Sequence, residues 1–278
     1  MDELSEEQQF QIWASTFNNS LERKTGKIEL LNGGATLHVP ENFYYLSPAD
    51  ANRVLEEAWG NPPGAETLGM LFPADYSPLD ANAWGVTLEY EEDGYVSDED
   101  AGDINYSDLL QQMKEDTAAS NPQRIAAGYP RIELLGWAAE PYYNQNTHKM
   151  YWAQEIRFGE GSDASNTLNY NIRMLGRKGV LVVNFIAGME QLPEIESNLD
   201  SVLSIAEFDE GSRYADFDPD IDTVAAYGLG ALVTGKVLAK TGILAALLIG
   251  LKKFWIIGLV AIGGVFSRVF KGKKKDQV

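Results

Sequence analysis

Met150-Tyr151-Trp152-Ala153-Gln154-Glu155-Ile156-Arg157-Phe158, Leu168-Asn169-Tyr170-Asn171-Ile172-Arg173-Met174 and Gly179-Val180-Leu181-Val182-Val183-Asn184-Phe185-Ile186 decide the fold class of this chain. In the first stretch Met150, Trp152, Ile156 and Phe158 alternate with Tyr151, Glu155 and Arg157, the two-residue period of a half-buried strand. The second alternates the same way, with Leu168, Tyr170, Ile172 and Met174 set against Asn169, Asn171 and Arg173. The third is almost continuously apolar, as expected of a strand at the centre of a sheet. Ile132–Trp137 opens this region. Short connections between the runs favour an antiparallel meander, and Gly176-Arg177-Lys178-Gly179 reads as a tight hairpin turn.

Helical signals flank these strands. Ser5 and Gln8 form a capping box, and Phe10, Trp13, Ala14 and Phe17 follow at helical spacing, predicting a helix over 6–19. Lys27–Leu31 and Ala35–Val39 around Asn32-Gly33-Gly34 predict a hairpin. Ser47-Pro48-Ala49-Asp50 starts a helix that buries Val54, Leu55, Ala58 and Trp59 and stops at Gly60-Asn61-Pro62-Pro63. Strands are expected at Glu66–Phe72 and Gly85–Tyr90. A helix from Ser107 to Ala119 should end at Ser120-Asn121-Pro122, and a closing helix should run from Pro193 to Ile205. Strands bracketed by helices without regular alternation make the class α+β: a mainly antiparallel sheet with packed helices, plus a C-terminal helical membrane segment.

Charge divides the chain in two. Of its 22 basic and 41 acidic residues, nine basic and one acidic fall in 224–278, so that tail carries +8 while residues 1–223 carry −27. The acidic body lacks the basic footprint that nucleic acid requires, whereas the Lys-rich tail suits a lipid bilayer. Two domains follow: an acidic soluble domain over 1–223 and a membrane-associated helical tail over 224–278. The opening MDELSEEQQF has no signal-peptide pattern. This leaves a tail-anchored cytosolic domain, or an extracytoplasmic domain whose leader is missing. The absence of cysteine excludes disulfides and thiolate chemistry.

The tail is broken by lysines. Its uncharged runs, Val224–Gly235, Val237–Ala239, Thr241–Leu251 and Phe254–Ser267, fall short of the roughly 20 residues of a lone span. Lys252-Lys253 divide it into helices over 224–251 and 254–270. Small residues recur four apart at Ala226, Gly230 and Thr234 and at Ala231 and Gly235, a spacing that lets helices approach closely in lipid. Lys236 and Lys240 share a helical face, and charges at membrane depth usually face a bundle interior or water. Both are therefore candidates for an assembly interface. The basic clusters favour a cytoplasmic end for the tail and an external soluble domain.

Several segments resemble a known family. They are Leu135-Gly136-Trp137-Ala138-Ala139-Glu140-Pro141-Tyr142-Tyr143, Thr147-His148-Lys149-Met150-Tyr151-Trp152-Ala153, Asn166–Leu181, and Arg213-Tyr214-Ala215-Asp216-Phe217 with Ala226-Tyr227-Gly228. Together they resemble a bacterial family of uncharacterised membrane-anchored proteins, a domain of unknown function. The resemblance implies a secretory signal, an extracytoplasmic domain and a C-terminal membrane anchor. It implies no reaction.

The residues themselves name no enzyme. His38 and His148 are the only histidines, without metal-binding spacing. The run Asp98-Glu99-Asp100-Ala101-Gly102-Asp103 misses the EF-hand pattern. Asp216, Asp218, Asp220 and Asp222 are well spaced, but Ile221 and Tyr227 stand where an EF-hand needs Gly and Glu, so they are weak metal candidates at the junction with the tail. No cofactor is implied. Trp137, Tyr142, Tyr143, Tyr151 and Trp152, with His148, form a candidate contact surface. The expected function is a membrane-anchored, non-enzymatic binding or self-assembly module at the bacterial cell envelope. Its expected partners are the lipid bilayer, an envelope ligand or protein, and further copies of itself. The alternative is a homo-oligomeric membrane assembly with channel or transport character using Lys236 and Lys240. A membrane-tethered hydrolase with His148 as base comes third.

Overall fold

The computed structural model describes residues 5–234, apart from 31–33, 65 and 162–163. The strands are β1 Gly26–Leu30, β2 Ala35–Val39, β3 Phe43–Leu46, β4 Gly69–Pro73, β5 Gly85–Glu91, β6 Ile132–Asn144, β7 Lys149–Phe158, β8 Ser165–Leu175, β9 Val180–Gly188 and β10 Ala206–Phe208. The helices are α1 Glu6–Ser20, α2 Pro48–Arg53, α3 Tyr106–Ala126, α4 Leu192–Ile205 and α5 Leu229–Thr234. The α+β class is as expected: a seven-stranded sheet in the order β3-β4-β5-β9-β8-β7-β6 and a three-stranded sheet β1-β2-β10, with every strand pairing antiparallel. Gly176 N–H donates to Gly179 C=O at 2.8 Å and closes the β8–β9 hairpin.

Each face of the large sheet is covered differently. On the first face Leu88, Tyr170, Ile172, Val183 and Phe185 pack with Leu37 of the small sheet and Ile195, Val202 and Ile205 of α4. The second face is covered in two parts. At the β3–β4 end Phe17 of α1 and Val54, Leu55 and Trp59 after α2 meet Met70 and Phe72. At the β6–β7 end Leu109 and Met113 of α3 and Leu229, Leu232 and Val233 of α5 meet Met150, Trp152 and Leu175.

Some elements depart from their sequence signals. α3 does not stop at Pro122 but continues to Ala126. The Asn121 carboxamide explains this: its Nδ2 donates to Ile132 C=O and its Oδ1 accepts from Ile132 N–H, both at 2.8 Å. This clamp fastens the helix to the start of β6 and offsets the backbone bond that proline cannot make. The helix expected from Val224 begins only at Leu229. Before it, Tyr95 N–H donates to Thr223 C=O and Ala225 N–H donates to Tyr95 C=O, both at 2.8 Å, which holds that stretch extended. The polar side of β8 is not solvated: Asn171 is 2% and Arg173 1% exposed, because non-local elements cover the second face. Among the described residues no helix is long and apolar enough to cross a membrane. Gly235, Lys236, Lys240, Lys252 and Lys253, and with them the expected membrane helices beyond Thr234, lie outside the described residues.

Candidate functional site

The register of the central strands sets a polar strip across the second face. Thr87 pairs with Asn184, Asn184 with Asn171, and Asn171 with Trp152, giving one row across β5, β9, β8 and β7. In the next row Glu89 and Arg173 flank Val182. Arg173 Nη1 donates to Asn184 Oδ1 at 3.0 Å and to Ile172 C=O at 3.2 Å, and the guanidinium lies 4.9 Å from the Trp152 ring centroid. Within this strip, Arg173 Nε, Trp152 Nε1 and Asn169 Oδ1 are buried and have no hydrogen-bond partner among the described residues. Burial pushes the Glu89 carboxyl up to about 7, with Arg173 opposing the shift and Glu91 adding to it. Glu91 is raised too, again chiefly by burial. The strip was missed because strand alternation marks which side chains share a face, not what covers that face. Asn169-x-Asn171-x-Arg173 beside the most apolar strand was the available signal.

A second cluster surrounds His148 at the turn into β7. Its φ of 49° is left-handed, a conformation histidine tolerates better than most residues. Asp98 Oδ2 accepts from Tyr143 Oη at 2.7 Å, and His148 Nδ1 lies 3.2 Å from that hydroxyl and 3.6 Å from Asp98 Oδ2. Burial and then the Asp98 hydrogen bond raise the Tyr143 phenol. The imidazole lies tilted against Tyr214, with ring centroids 4.2 Å apart, and Tyr214 stacks on Tyr95 at 4.5 Å. His148, Lys149, Glu207, Arg213 and Tyr214 line a concavity of about 410 Å³. A larger one, about 590 Å³, lies between the start of α3 and β6, lined by Asn105, Tyr106, Gln111, Lys114, Trp137 and Glu140. The Trp137 indole Nε1 is buried and has no hydrogen-bond partner among the described residues.

The expected contact surface is therefore divided. Tyr142, 59% exposed, stacks on Tyr151 near the β6–β7 hairpin tip. Trp137 lines one concavity and His148 another, with Tyr143 bonded between His148 and Asp98. Trp152 is corrected to a core residue: it is 1% exposed, packed under α5 and beside Arg173.

The carboxylates at the junction are occupied locally. Asp222 pairs with Arg177 at 2.6 Å and accepts from Asp218 N–H, while Asp216 accepts from Gly211 and Arg213 N–H and Asp218 from Asp220 N–H. Among the described residues no group of three or more His, Cys, Asp or Glu side chains is placed to hold a metal ion. Gly230 sits in α5, where among the described residues an added Cβ would meet Ile104 Cγ1 at 3.9 Å, an ordinary contact.

Fold and site define an α+β domain whose large antiparallel sheet buries a polar, arginine-centred strip beneath its helices. The chain belongs to the family described as "Protein of unknown function (DUF2167)", which matches residues 22–263. No curated protein matches the chain. The chain also has weak similarity to several solved structures. The cyanobacterial PsbP (CyanoP) of Synechocystis sp. PCC 6803 has a TM-score of 0.36 at 11% identity, covering 68% of this chain and 92% of its own. The Ran-binding protein Mog1p of Saccharomyces cerevisiae has a TM-score of 0.31 at 15% identity, covering 68% and 96%. LpqN of Mycobacterium tuberculosis, involved in cell envelope biogenesis, has a TM-score of 0.28 at 12% identity, covering 67% and 88%. Scores this low carry no functional argument.

Proposed function

We propose that this chain is a non-enzymatic binding module held at the bacterial inner membrane, with its acidic domain outside the cytoplasm and its basic, apolar tail in the bilayer. Membrane attachment is supported by the split of charge and hydropathy near Val224. α5, from which the tail continues in sequence, is fastened to the domain: Leu229 N–H donates to Asp100 Oδ1 at 3.1 Å, and Leu229, Leu232 and Val233 are buried.

The observation that carries the binding role is a concavity of about 590 Å³ lined by Trp137 and by polar side chains of α3 and β6. That size suits a small-ligand site. The aromatic ring of Trp137, amides from Asn105 and Gln111, and opposite charges on Lys114 and Glu140 suit a neutral ligand rich in hydroxyl and amide groups. Soluble cell-wall glycopeptide fragments are the probe, titrated against the full chain in detergent and followed by tryptophan fluorescence. Trp137→Phe replaces the indole by a smaller ring, so affinity should fall about 2- to 12-fold, for a loss of about 0.5–1.5 kcal/mol of aromatic contact. Equal affinity in the variant, or no binding by either protein, would assign the concavity to folding alone.

A further inference from the structure

The concavity of about 410 Å³ beside His148 lies where the turn into β7, the end of β8, β10 and residues 213–215 meet. Its floor is apolar: Met174, Leu175 and Tyr214 are buried, and Phe208 packs against the core of the first face. Gly176 is what lets the Phe208 ring lie there, since an added Cβ would fall 2.7 Å from Phe208 Cζ.

The walls carry charge. Lys149 and Arg213 line the concavity and Glu207 opposes them. In a body this acidic most cations find a carboxylate: Lys24, Lys27, Arg53, Arg131, Arg157 and Arg177 each form an ion pair. Lys149 and Arg213 form none among the described residues, although Lys149 is half-buried. Burial lowers the Lys149 pKa, and Asp200 of α4 and Glu207 oppose that shift from beyond ion-pair distance. Both cations stand on fixed backbone. Lys149 pairs with Met174 across β7 and β8. Arg213 bridges to Gly176, its N–H donates to Asp216 Oδ2 at 3.0 Å, and next to it Arg177 N–H donates to Ser212 C=O at 2.9 Å. The His148 imidazole is engaged through Nδ1 with Tyr143 and Asp98, so it closes the wall between them.

We propose that this concavity binds a small monocarboxylate with an apolar body, its carboxylate between the Lys149 ammonium and the Arg213 guanidinium and its apolar part on Phe208 and Tyr214. A guanidinium meets a carboxylate through two parallel hydrogen bonds, and a preformed apolar floor with a few polar groups around it is the usual make-up of a small-ligand site. Glu207 sets the charge of the ligand: one acidic wall group repels a phosphate dianion about twice as strongly as a monoanion. The site shares no residue with the Trp137 concavity and takes an anion where that one suits a neutral ligand, so either stands without the other.

Hydrocinnamate, a monocarboxylate on a phenyl ring, is titrated calorimetrically into the full chain in detergent, with its heat of mixing into detergent alone subtracted. Hydrocinnamyl alcohol is the neutral counterpart and should bind about tenfold more weakly or less, the scale of one charge-assisted hydrogen bond. Lys149→Met keeps the apolar stem and should weaken the acid by about tenfold for the same reason. Arg213→Gln, at an exposed position, should weaken it about 2- to 5-fold, and Glu207→Gln should strengthen it by a similar factor. Lys178→Gln removes an exposed cation that does not line the concavity and should leave the affinity unchanged. If Lys149→Met fails to fold, the exposed Arg213→Gln and Glu207→Gln variants carry the test. No binding of the acid, equal binding of the alcohol, or a loss in Lys178→Gln equal to that in Arg213→Gln would each overturn the site. Weaker binding in Glu207→Gln, or displacement of the acid by an equal concentration of inorganic phosphate, would overturn the monocarboxylate assignment.

Discussion

Replacing Arg173 by alanine tests the polar strip at its centre. The side chain is 1% exposed and sits in the middle of β8, so its removal cannot be relieved by a surface rearrangement. Asn184 Oδ1 loses the donor it now receives at 3.0 Å. A buried acceptor left bare costs about 1–3 kcal/mol. The cation–π contact with Trp152, at 4.9 Å, is also lost, worth up to about 2 kcal/mol when desolvated. Glu89 and Glu91 lose the positive charge that opposes their upward shift. The same atoms serve all these interactions, so the losses do not add, and a total near 3–5 kcal/mol matches the removal of one partner from a buried charged cluster. Arg173→Met keeps most of the volume and should cost about half as much. Urea unfolding read through the midpoint at unchanged slope gives the number. If Arg173→Ala shifts stability by less than about 1 kcal/mol, the guanidinium is solvated and the buried strip is misassigned.

Further outcomes follow from the same packing. Glu89, raised to about 7 in the fold from an ordinary value of 4.5, binds its proton more tightly folded than unfolded. Its contribution to stability is complete below pH 4.5 and is lost as pH rises towards 7, so Glu89→Gln should flatten the fall in melting temperature between pH 5 and 7 and stabilise the chain at pH 8 by about 1–2 kcal/mol, allowing for partial exposure. Asn121→Ala removes both carboxamide bonds to Ile132 and should cost about 2–3 kcal/mol, with hydrogen exchange rising first in the last turns of α3. Gly179→Ala would drive a methyl group into Glu91 C=O and the Tyr90 ring, and a loss of about 2 kcal/mol or more is expected in thermal melts, with β5–β9 pairing most affected.

The class of the fold was legible because strand alternation, the Gly176–Gly179 turn and the Ser5 and Ser47 caps are local signals, and local chemistry decides them. What escaped was non-local. Asn169, Asn171 and Arg173 share a face, as the alternation says, but that face is closed by segments far away in sequence. The same cover moved Trp152 from the expected contact surface into the core. Pro122 is a sound local stop signal, overridden by an Asn121 clamp eleven residues from its partner. The start at Leu229 depended on Tyr95 holding residues 223–225 extended. Of the candidate site, Trp137 and His148 were legible as residues, whereas the concavities that separate them were not.

Membrane attachment through the tail tests the central claim most directly. The full chain is mixed with phosphatidylethanolamine–phosphatidylglycerol vesicles and floated on a density gradient, before and after washing with alkaline carbonate. The proposed function predicts that the chain floats with the lipid and stays there after the wash. Recovery of the chain in the lipid-free fractions, before or after the wash, would contradict it.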